Sequence, residues 1–314
     1  MEIVKYKYGE AVSCRECVMA LGFFDGVHMG HRDLLAKARE LADRLGIPLG
    51  VFTFPTESAI KAGSERIYST ESKLSLLESA GVDFTVLADF GSISGLSPES
   101  FVSDVLIGDL SVKVAASGFN YRFGRGAAGD AKLLSELMQR GGGDALIAGE
   151  FKHRGKTVSA SLVRDLLSAG DIIGANELLC APFRISGKVS HGNSVGRTLG
   201  FPTVNTDIEK GRIAPGRGVY ATALRLGERI YPSITNVGTC PTFSERALHL
   251  ETYIIDFEGD IYGESIEIYF LDRLRDEIKF SNEKELIMQI NIDKNKAISR
   301  IGDKIWQDLG PSLR

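Results

Sequence analysis

Two stretches of this sequence combine side chains that handle phosphate with a backbone free to approach it closely. The first is Gly22-Phe23-Phe24-Asp25-Gly26-Val27-His28-Met29-Gly30-His31. Glycines let main chain come close to a phosphate, and a helix opening at this point offers unpaired N–H groups to an anion. His28 and His31 can donate hydrogen bonds to phosphate oxygens, more strongly when protonated. The same pair would serve equally to cap a helix; its place between the first apolar run and the first helical pattern favours the anion site. The second stretch runs from Gly187 to Asn205, with Gly187, Gly192, Gly196 and Gly200 as a candidate phosphate loop around Arg197. Thr203 and Asn205 alternate, so an extended strand turns both to one face. Their neutral oxygens suit Mg2+, which keeps several waters and leans on substrate phosphates. By residue type alone, this stretch fits a polar turn between strands just as well.

These residues need elements to hold them. Residues 17–24 form a nearly unbroken apolar run, the pattern of a buried parallel strand. Leu34, Leu35, Ala38, Leu41, Ala42 and Leu45 follow at helical spacing, and Gly46 stands where that helix ends. Strand patterns over 47–54, 82–89 and 112–118 then alternate with helical patterns over 69–81, 97–110 and 130–142, with Pro98 at a first helical position. Such alternation predicts a doubly wound parallel sheet with helices on both faces, in which ligands bind outside the carboxyl ends of the strands. The turn at 22–31 lies at such an end. After Pro182 the texture changes to short alternating strands separated by Gly-rich turns, which predicts a small antiparallel β-barrel. A helical pattern from Asn282 onward is expected to pack on it. The expected fold class is α/β plus all-β, with domains over residues 1–182 and 183–314.

Composition bounds the function. The 314 residues are 43% hydrophobic and 25% charged, which suits a two-domain globular chain and excludes disorder, collagen and coiled coil. Lys plus Arg number 37 against 41 Asp plus Glu, a net charge of −4, so there is no global basic face for nucleic acid. No apolar run reaches the roughly 18–20 residues that span a bilayer, and the opening residues lack the order of a signal peptide. Cys14 and Cys17 form one CxxC without the further ligands that zinc requires, so no metal is assigned there. The expected setting is cytoplasmic, with small-molecule substrates, no nucleic acid and no membrane; oligomeric state is not legible.

The first stretch resembles the HxGH signature of the nucleotidyltransferase α/β-phosphodiesterase superfamily, and its longer GxFDGVHxGH form resembles the flavin-adenylating branch. Ser117-Gly118-Phe119-Asn120-Tyr121-Arg122-Phe123-Gly124 is similar to that branch's G-x-[DN]-[FY]-x-[FY]-G, followed by Gly129-Asp130. Val158-Ser159-Ala160-Ser161-Leu162-Val163-Arg164 resembles I-S-S-T-x-[IV]-R, which holds ATP phosphates at a helix start. The second stretch resembles the riboflavin kinase pattern G-x-V-x-x-G-x-x-x-G-R-x-L-G-F-P-T-x-N. That likeness continues through Gly218-Val219-Tyr220, Asn236 to Phe243, Leu250 to Phe257, Tyr262-Gly263, Arg275-Asp276-Glu277, Lys279-Phe280, Gln289-Ile290 and Asp293. Essentially the whole chain is covered, in family order.

The resemblance to prokaryotic bifunctional riboflavin kinase/FMN adenylyltransferases implies conversion of riboflavin to FMN and of FMN to FAD, with ATP and Mg2+. It implies Glu251 as general base, Thr203 and Asn205 on the metal, and His28 and His31 at the departing pyrophosphate. It further implies ATP or flavin contacts from Gly22, Phe23, Asp25, Gly26, Asn120, Ser159, Ser161, Arg164, Gly187, Gly192, Gly196 and Arg197. Two positions depart from the family pattern. Thr56 and Glu57 stand where the family writes His-Pro, placing an acid beside a site for polyanions, and Ala160 removes a hydroxyl donor from the phosphate-binding run. The alternatives are a kinase whose N-terminal half is impaired, and a flavin-binding regulator without turnover.

Overall fold

The computed structural model describes residues 1–12, 14–58, 65–190, 201–239 and 248–309. By contact, the chain forms two compact units, Met1–Ala160 and Ser161–Arg314.

The first unit is built on strands β1 (Glu2–Tyr6), β2 (Cys17–Leu21), β3 (Leu49–Thr53), β4 (Phe84–Ala88), β5 (Val112–Gly118) and β8 (Asp144–Ala148). They form one sheet in the order β1-β4-β3-β2-β5-β8, and every pairing is parallel. Helix α1 (Met29–Leu45) joins β2 to β3, and α2 (Thr70–Ser79) joins β3 to β4. Two short helices, α3 (Phe90–Ile93) and α4 (Pro98–Ser100), follow β4. Pro98 stands at the expected first turn, and Ser97 caps it by accepting from Ser100 N–H at 3.2 Å. From Phe101 to Asp109 the chain winds as a π-helix, its end marked by Leu110 N–H donating to Val105 C=O. The short ribbon β6 (Arg122–Phe123) and β7 (Gly129–Asp130) leads into α5 (Ala131–Arg140) before β8. A second ribbon, β9 (Lys152–His153) with β10 (Lys156–Thr157), follows.

All five residues of β2 are buried, and they feed two separate cores alternately. Cys17, Met19 and Leu21 face Phe52, Phe101 and Leu106, whereas Val18 and Ala20 face Leu34, Leu35 and Ala38 of α1. Burying both faces requires an apolar residue at every position, hence the unbroken run in the sequence. Strand order turns back at β2, because β3 and β4 lie to one side of it and β5 to the other. The crevice at the carboxyl ends of β2 and β5 is therefore the natural ligand position. The half-exposed edge strand β1 was not expected from the sequence; its burial is too partial to leave a strong apolar pattern. The buried Cys17 thiol is pushed up to about 12, chiefly by burial and then by Cys14.

The second unit opens with α6 (Ala160–Ala169) and α7 (Ile172–Leu179). Six strands then close an antiparallel barrel in the order β11-β12-β15-β14-β13-β16. They are β11 (Phe183–Ser190), β12 (Thr203–Asp207), β13 (Gly218–Leu226), β14 (Arg229–Thr239), β15 (Leu248–Ile254) and β16 (Ser265–Arg275). The terminal helix α8 (Glu283–Leu309) lays buried Ala297 against Val219, Ala221 and Ile234 on the barrel's outer face. The interior is filled. Phe183, Tyr220 and Phe270 pack at one end, and a ladder of buried hydroxyls runs from Ser233 to Thr222 (2.8 Å), Thr235 (2.9 Å) and Thr252 (2.9 Å). A six-stranded barrel has no space left for a ligand once its side chains meet, so chemistry must use the outer face.

The division expected after Pro182 needs correction, since α6 and α7 pack with the barrel. Asn176 bridges them: its Nδ2 donates to Phe270 C=O at 2.8 Å and its Oδ1 accepts from Phe183 N–H at 2.7 Å. Gly216 N–H likewise donates to Leu167 C=O at 2.9 Å. A fragment starting at Ser161 is therefore expected to unfold at a clearly higher temperature than one starting at Phe183, as read by circular dichroism. Equal midpoints would return the boundary to Pro182.

Candidate active sites

In the first unit, Gly22 to His31 connects β2 to α1 at the sheet's switch point. Phe24 (φ 54°), Gly26 (φ 84°) and Val27 (φ 43°) all adopt left-handed backbone. That is ordinary for glycine and strained for a β-branched valine, and such strain persists only where surrounding contacts fix it. Three contacts do so. The Phe23 carbonyl accepts from Thr53 Oγ1 at 3.0 Å and from Lys73 Nζ at 3.2 Å, and Asp25 Oδ1 accepts from Ile67 N–H at 2.9 Å.

His28 ends the turn as the N-cap of α1, its Nδ1 accepting from His31 N–H at 3.4 Å. A neutral imidazole that accepts at Nδ1 carries its proton on Nε2, so the cap fixes the tautomer that can donate outward. The two rings stack with centroids 3.7 Å apart. Burial pushes the His31 imidazole well below its ordinary range, with His28 and Lys73 adding to the shift. His31 is thus a neutral donor at pH 7 rather than a standing cation.

The structure brings Gly22, Phe23, Asp25, Gly26, His28 and His31 together in this one turn. Asp25 is buried and also braces the turn, its Oδ1 accepting from Ile67 N–H. Asn120 lies on the exposed turn that follows β5. Ser159 immediately precedes α6, whereas Ser161 and Arg164 lie on it within the second unit, Arg164 Nη2 donating to Ser161 Oγ at 3.4 Å. Glu57 stays ionised: burial alone would raise its pKa, but hydrogen bonds from Thr70 and Thr56 (both 2.8 Å) and the Arg66 charge bring it below the ordinary value. The acid beside the site is held by hydroxyls. Lys73 was missed by sequence reading. Its signal was available, since it lies four residues before buried Leu77 on the inward face of α2.

In the second unit, Glu251 lies on the outer face of β15, directly opposite Asn205 on β12 and Asn236 on β14. Thr203 Oγ1 donates to Glu251 Oε1 at 2.7 Å. Asn205 is buried, its Oδ1 lying 2.5 Å from His249 Nε2, while His249 Nδ1 faces Asp207 Oδ1 at 3.2 Å. Two clefts meet at Thr203. One, of about 310 Å³, lies between the barrel and α8 and is lined by Glu251, Tyr253 and Asn236 with apolar Phe201, Ile234 and Phe280. The other, of about 320 Å³, is lined by Pro202, Asn205, Phe257, Glu258 and Asp260. The wall of the first is locked by Asp293, which is buried and accepts from Arg275 Nε at 2.9 Å and Gln289 Nε2 at 2.9 Å. Gly187 sits inside β11, where a Cβ would strike Thr206 Cγ2 at 2.4 Å. Its smallness serves barrel packing. Gly192, Gly196, Gly200 and Arg197 lie outside the described residues.

The oxygens of Thr203 and Asn205 form a neutral, hard donor set. Among the described residues no group of three or more His, Cys, Asp or Glu is placed to hold a metal. A donor set so small fits Mg2+ that arrives with nucleotide phosphates, rather than one caged by protein alone.

A parallel α/β unit with an HxGH turn at its switch point, followed by a closed barrel with a carboxylate-bearing outer cleft, defines a two-unit nucleotide-dependent transferase. The FAD synthetase family model matches residues 11–162 and the riboflavin kinase family model residues 179–301. The chain is 34% identical over 290 residues to the bifunctional riboflavin kinase/FMN adenylyltransferase of Bacillus subtilis, covering 90% of this chain and 91% of that protein. It is 36% identical over 287 residues to the Escherichia coli K12 protein of the same name, with coverage of 90% and 91%. The Haemophilus influenzae protein of that name gives 33% over 304 residues, 95% of this chain and 98% of that one. A crystal structure of a Streptococcus pneumoniae protein described as a macrolide-efflux protein superimposes with a TM-score of 0.85 at 28% identity, covering 94% of this chain and 98% of that one. In this chain, no helix among the described residues is long and apolar enough to cross a membrane. The chain belongs to the bifunctional riboflavin kinase/FMN adenylyltransferase family.

The depressed pKa of His31 gives a prediction with a definite sign. The unfolded chain binds that proton below about pH 6.5 while the folded one does not, so this group stabilises the fold above that pH and the contribution is lost on acidification. In an NMR titration its ring should keep neutral-state shifts at pH 6; a midpoint at the ordinary value would contradict the buried stack.

Proposed function

We propose that the barrel unit transfers the γ-phosphoryl group of ATP to the 5′-hydroxyl of riboflavin, giving FMN and ADP. The α/β unit then joins the FMN phosphate to the α-phosphorus of a second ATP, giving FAD and pyrophosphate. The observation that carries the kinase reading is Glu251, facing a cleft with Thr203 2.7 Å away and Asn205 opposite.

The apolar and aromatic cleft beside Glu251 suits the flavin ring, and the neighbouring polar cleft suits the nucleotide. Glu251 takes the hydroxyl proton as that oxygen attacks phosphorus. Thr203 and Asn205 would hold Mg2+, which neutralises charge on the transferring phosphates. The Arg275–Asp293 pair fixes the cleft wall and keeps the flavin in register with Glu251.

Adenylyl transfer needs no nucleophilic side chain, because the FMN phosphate is itself the nucleophile. The turn contributes close backbone approach at Gly22 and Gly26, and imidazole donors from His28 and His31 where charge builds on the leaving pyrophosphate. Asn120 and Ser159 supply further phosphate and nucleotide contacts. Gly192, Gly196 and Arg197 would act at the kinase phosphates. Substrates of this kind place the protein in the cytoplasm.

The two activities should separate by mutation. Glu251→Gln should lower FMN formation from riboflavin by about 10²-fold or more, the scale of general-base loss, and leave conversion of FMN to FAD intact. His28→Ala or His31→Ala should do the reverse, lowering FAD formation by about 10²-fold with kcat reduced more than ATP affinity. Loss of both activities from either substitution would contradict two independent sites. Ala160→Ser should raise FAD formation, since it restores a donor at the start of α6; no increase would remove the missing hydroxyl as a limit on this half.

A further inference from the structure

Lys73 lies on α2 and is fully buried. Its Nζ lies 2.6 Å from Phe54 C=O, 3.1 Å from Thr53 Oγ1 and 3.2 Å from Phe23 C=O. An ammonium has three N–H donors, and these three acceptors use all of them. The same nitrogen stands 4.7 Å from the centroid of the Phe23 ring. Lys73 therefore ties together the carboxyl end of β3, helix α2 and the turn that leads to His28.

Phe23 C=O belongs to the peptide plane that immediately precedes Phe24. Holding that oxygen from both sides, by Lys73 and by Thr53, fixes the plane from which Phe24 starts its left-handed course. The left-handed backbone of Gly26 and Val27 follows, strained at the valine, and then the cap of His28 on His31. A buried, unreactive lysine would normally be replaced by an apolar residue at lower cost, because removing an ammonium from water is expensive. Here the charge holds a strained turn that ordinary packing would not select.

We propose that Lys73 is a positioning residue for adenylyl transfer, acting through the Phe23 carbonyl to hold the His28–His31 turn in its working conformation. This rests on the adenylyltransferase reading of the turn. The charged and titratable groups around it are Asp25 on the turn, Glu57 after β3, Arg66 ahead of α2 and His31 on α1. Burial lowers the Lys73 pKa to about 8, with Asp25 and Glu57 acting in the opposite direction. When the ammonium loses its proton, two N–H groups remain for three acceptors and the brace opens. The linkage sign separates this from unfolding. Between about pH 8 and 10.5 the unfolded chain holds the proton that folded Lys73 has lost, so this group stabilises the fold further as pH rises. A fall in FAD formation across that range is then a loss of positioning.

The test is steady-state conversion of FMN to FAD by the full chain, with riboflavin phosphorylation as internal control. Lys73→Met should lower kcat for FAD formation by about tenfold or more with a smaller change in KM for ATP, as expected of a displaced site. Wild-type kcat should show an alkaline limb with a midpoint of about 8, and the residual activity of Lys73→Met should show none. Thr53→Val, which keeps the charge and removes one brace on the same carbonyl, should lower kcat by about threefold or more; it decides the matter if Lys73→Met does not fold. Kinase activity should stay within about twofold in both variants, since their sites are on separate units. Unchanged FAD turnover in either variant, or the same alkaline limb in Lys73→Met, would overturn the role of Lys73. A wild-type chain that forms no FAD from FMN would overturn the adenylyltransferase reading itself.

Discussion

The Phe23 carbonyl is held between the Thr53 hydroxyl and the Lys73 ammonium, and the N-terminal site is organised around that fixed oxygen. Left-handed backbone follows at Phe24 and Val27, where holding it costs about 1–3 kcal/mol per strained residue that an unsupported chain would release. Asp25 closes the other side by accepting from Ile67. The reward of this strain is geometric. The turn is folded tightly enough for His28 to cap α1 and for both imidazoles to stack at the carboxyl end of β2. Because His31 is kept neutral, the site presents directed donors rather than a loose positive field. Such preorganisation suits a reaction in which charge appears on a leaving group.

The barrel obeys a different constraint. Its interior is closed by aromatic rings and a ladder of threonine and serine hydroxyls, so residues that alternate outward are the ones free for chemistry. Thr203, Asn205 and Glu251 all fall on that outer face, and α8 with the Arg275–Asp293 pair walls in Thr203 and Glu251 to make a cleft from what would otherwise be open surface. A carboxylate on an exposed strand becomes a plausible base only because a helix has been laid beside it.

Much of this was legible in the sequence, for physical reasons that differ by element. The buried strands β2 and β3 could be read because parallel sheet covered on both faces demands apolar residues throughout. Edge strand β1 could not, since one side of it faces solvent and its composition is mixed. The change of texture at Pro182 was real, but it marks where the barrel strands begin. The compact unit begins earlier, because helices α6 and α7 carry no sign of which core they will join. Gly187 read as a phosphate glycine, and the packing adds that its small size leaves room for Thr206 on the adjacent strand β12. Asp25 read as a ligand contact, and the packing adds a brace to Ile67 that its residue type alone did not announce. The position of Lys73 on the inward face of α2 was legible, but only the packing shows that its partners are two main-chain oxygens and the Thr53 hydroxyl.

In the proposed reaction sequence, one chain carries two separate sites, the product of one serving as substrate of the other. Time-resolved chromatography of the purified chain with riboflavin, ATP and Mg2+ tests this most directly. FMN should rise first, without a lag, and FAD should follow as FMN accumulates. FMN accumulating with no FAD, or FAD appearing without any FMN intermediate, would contradict it.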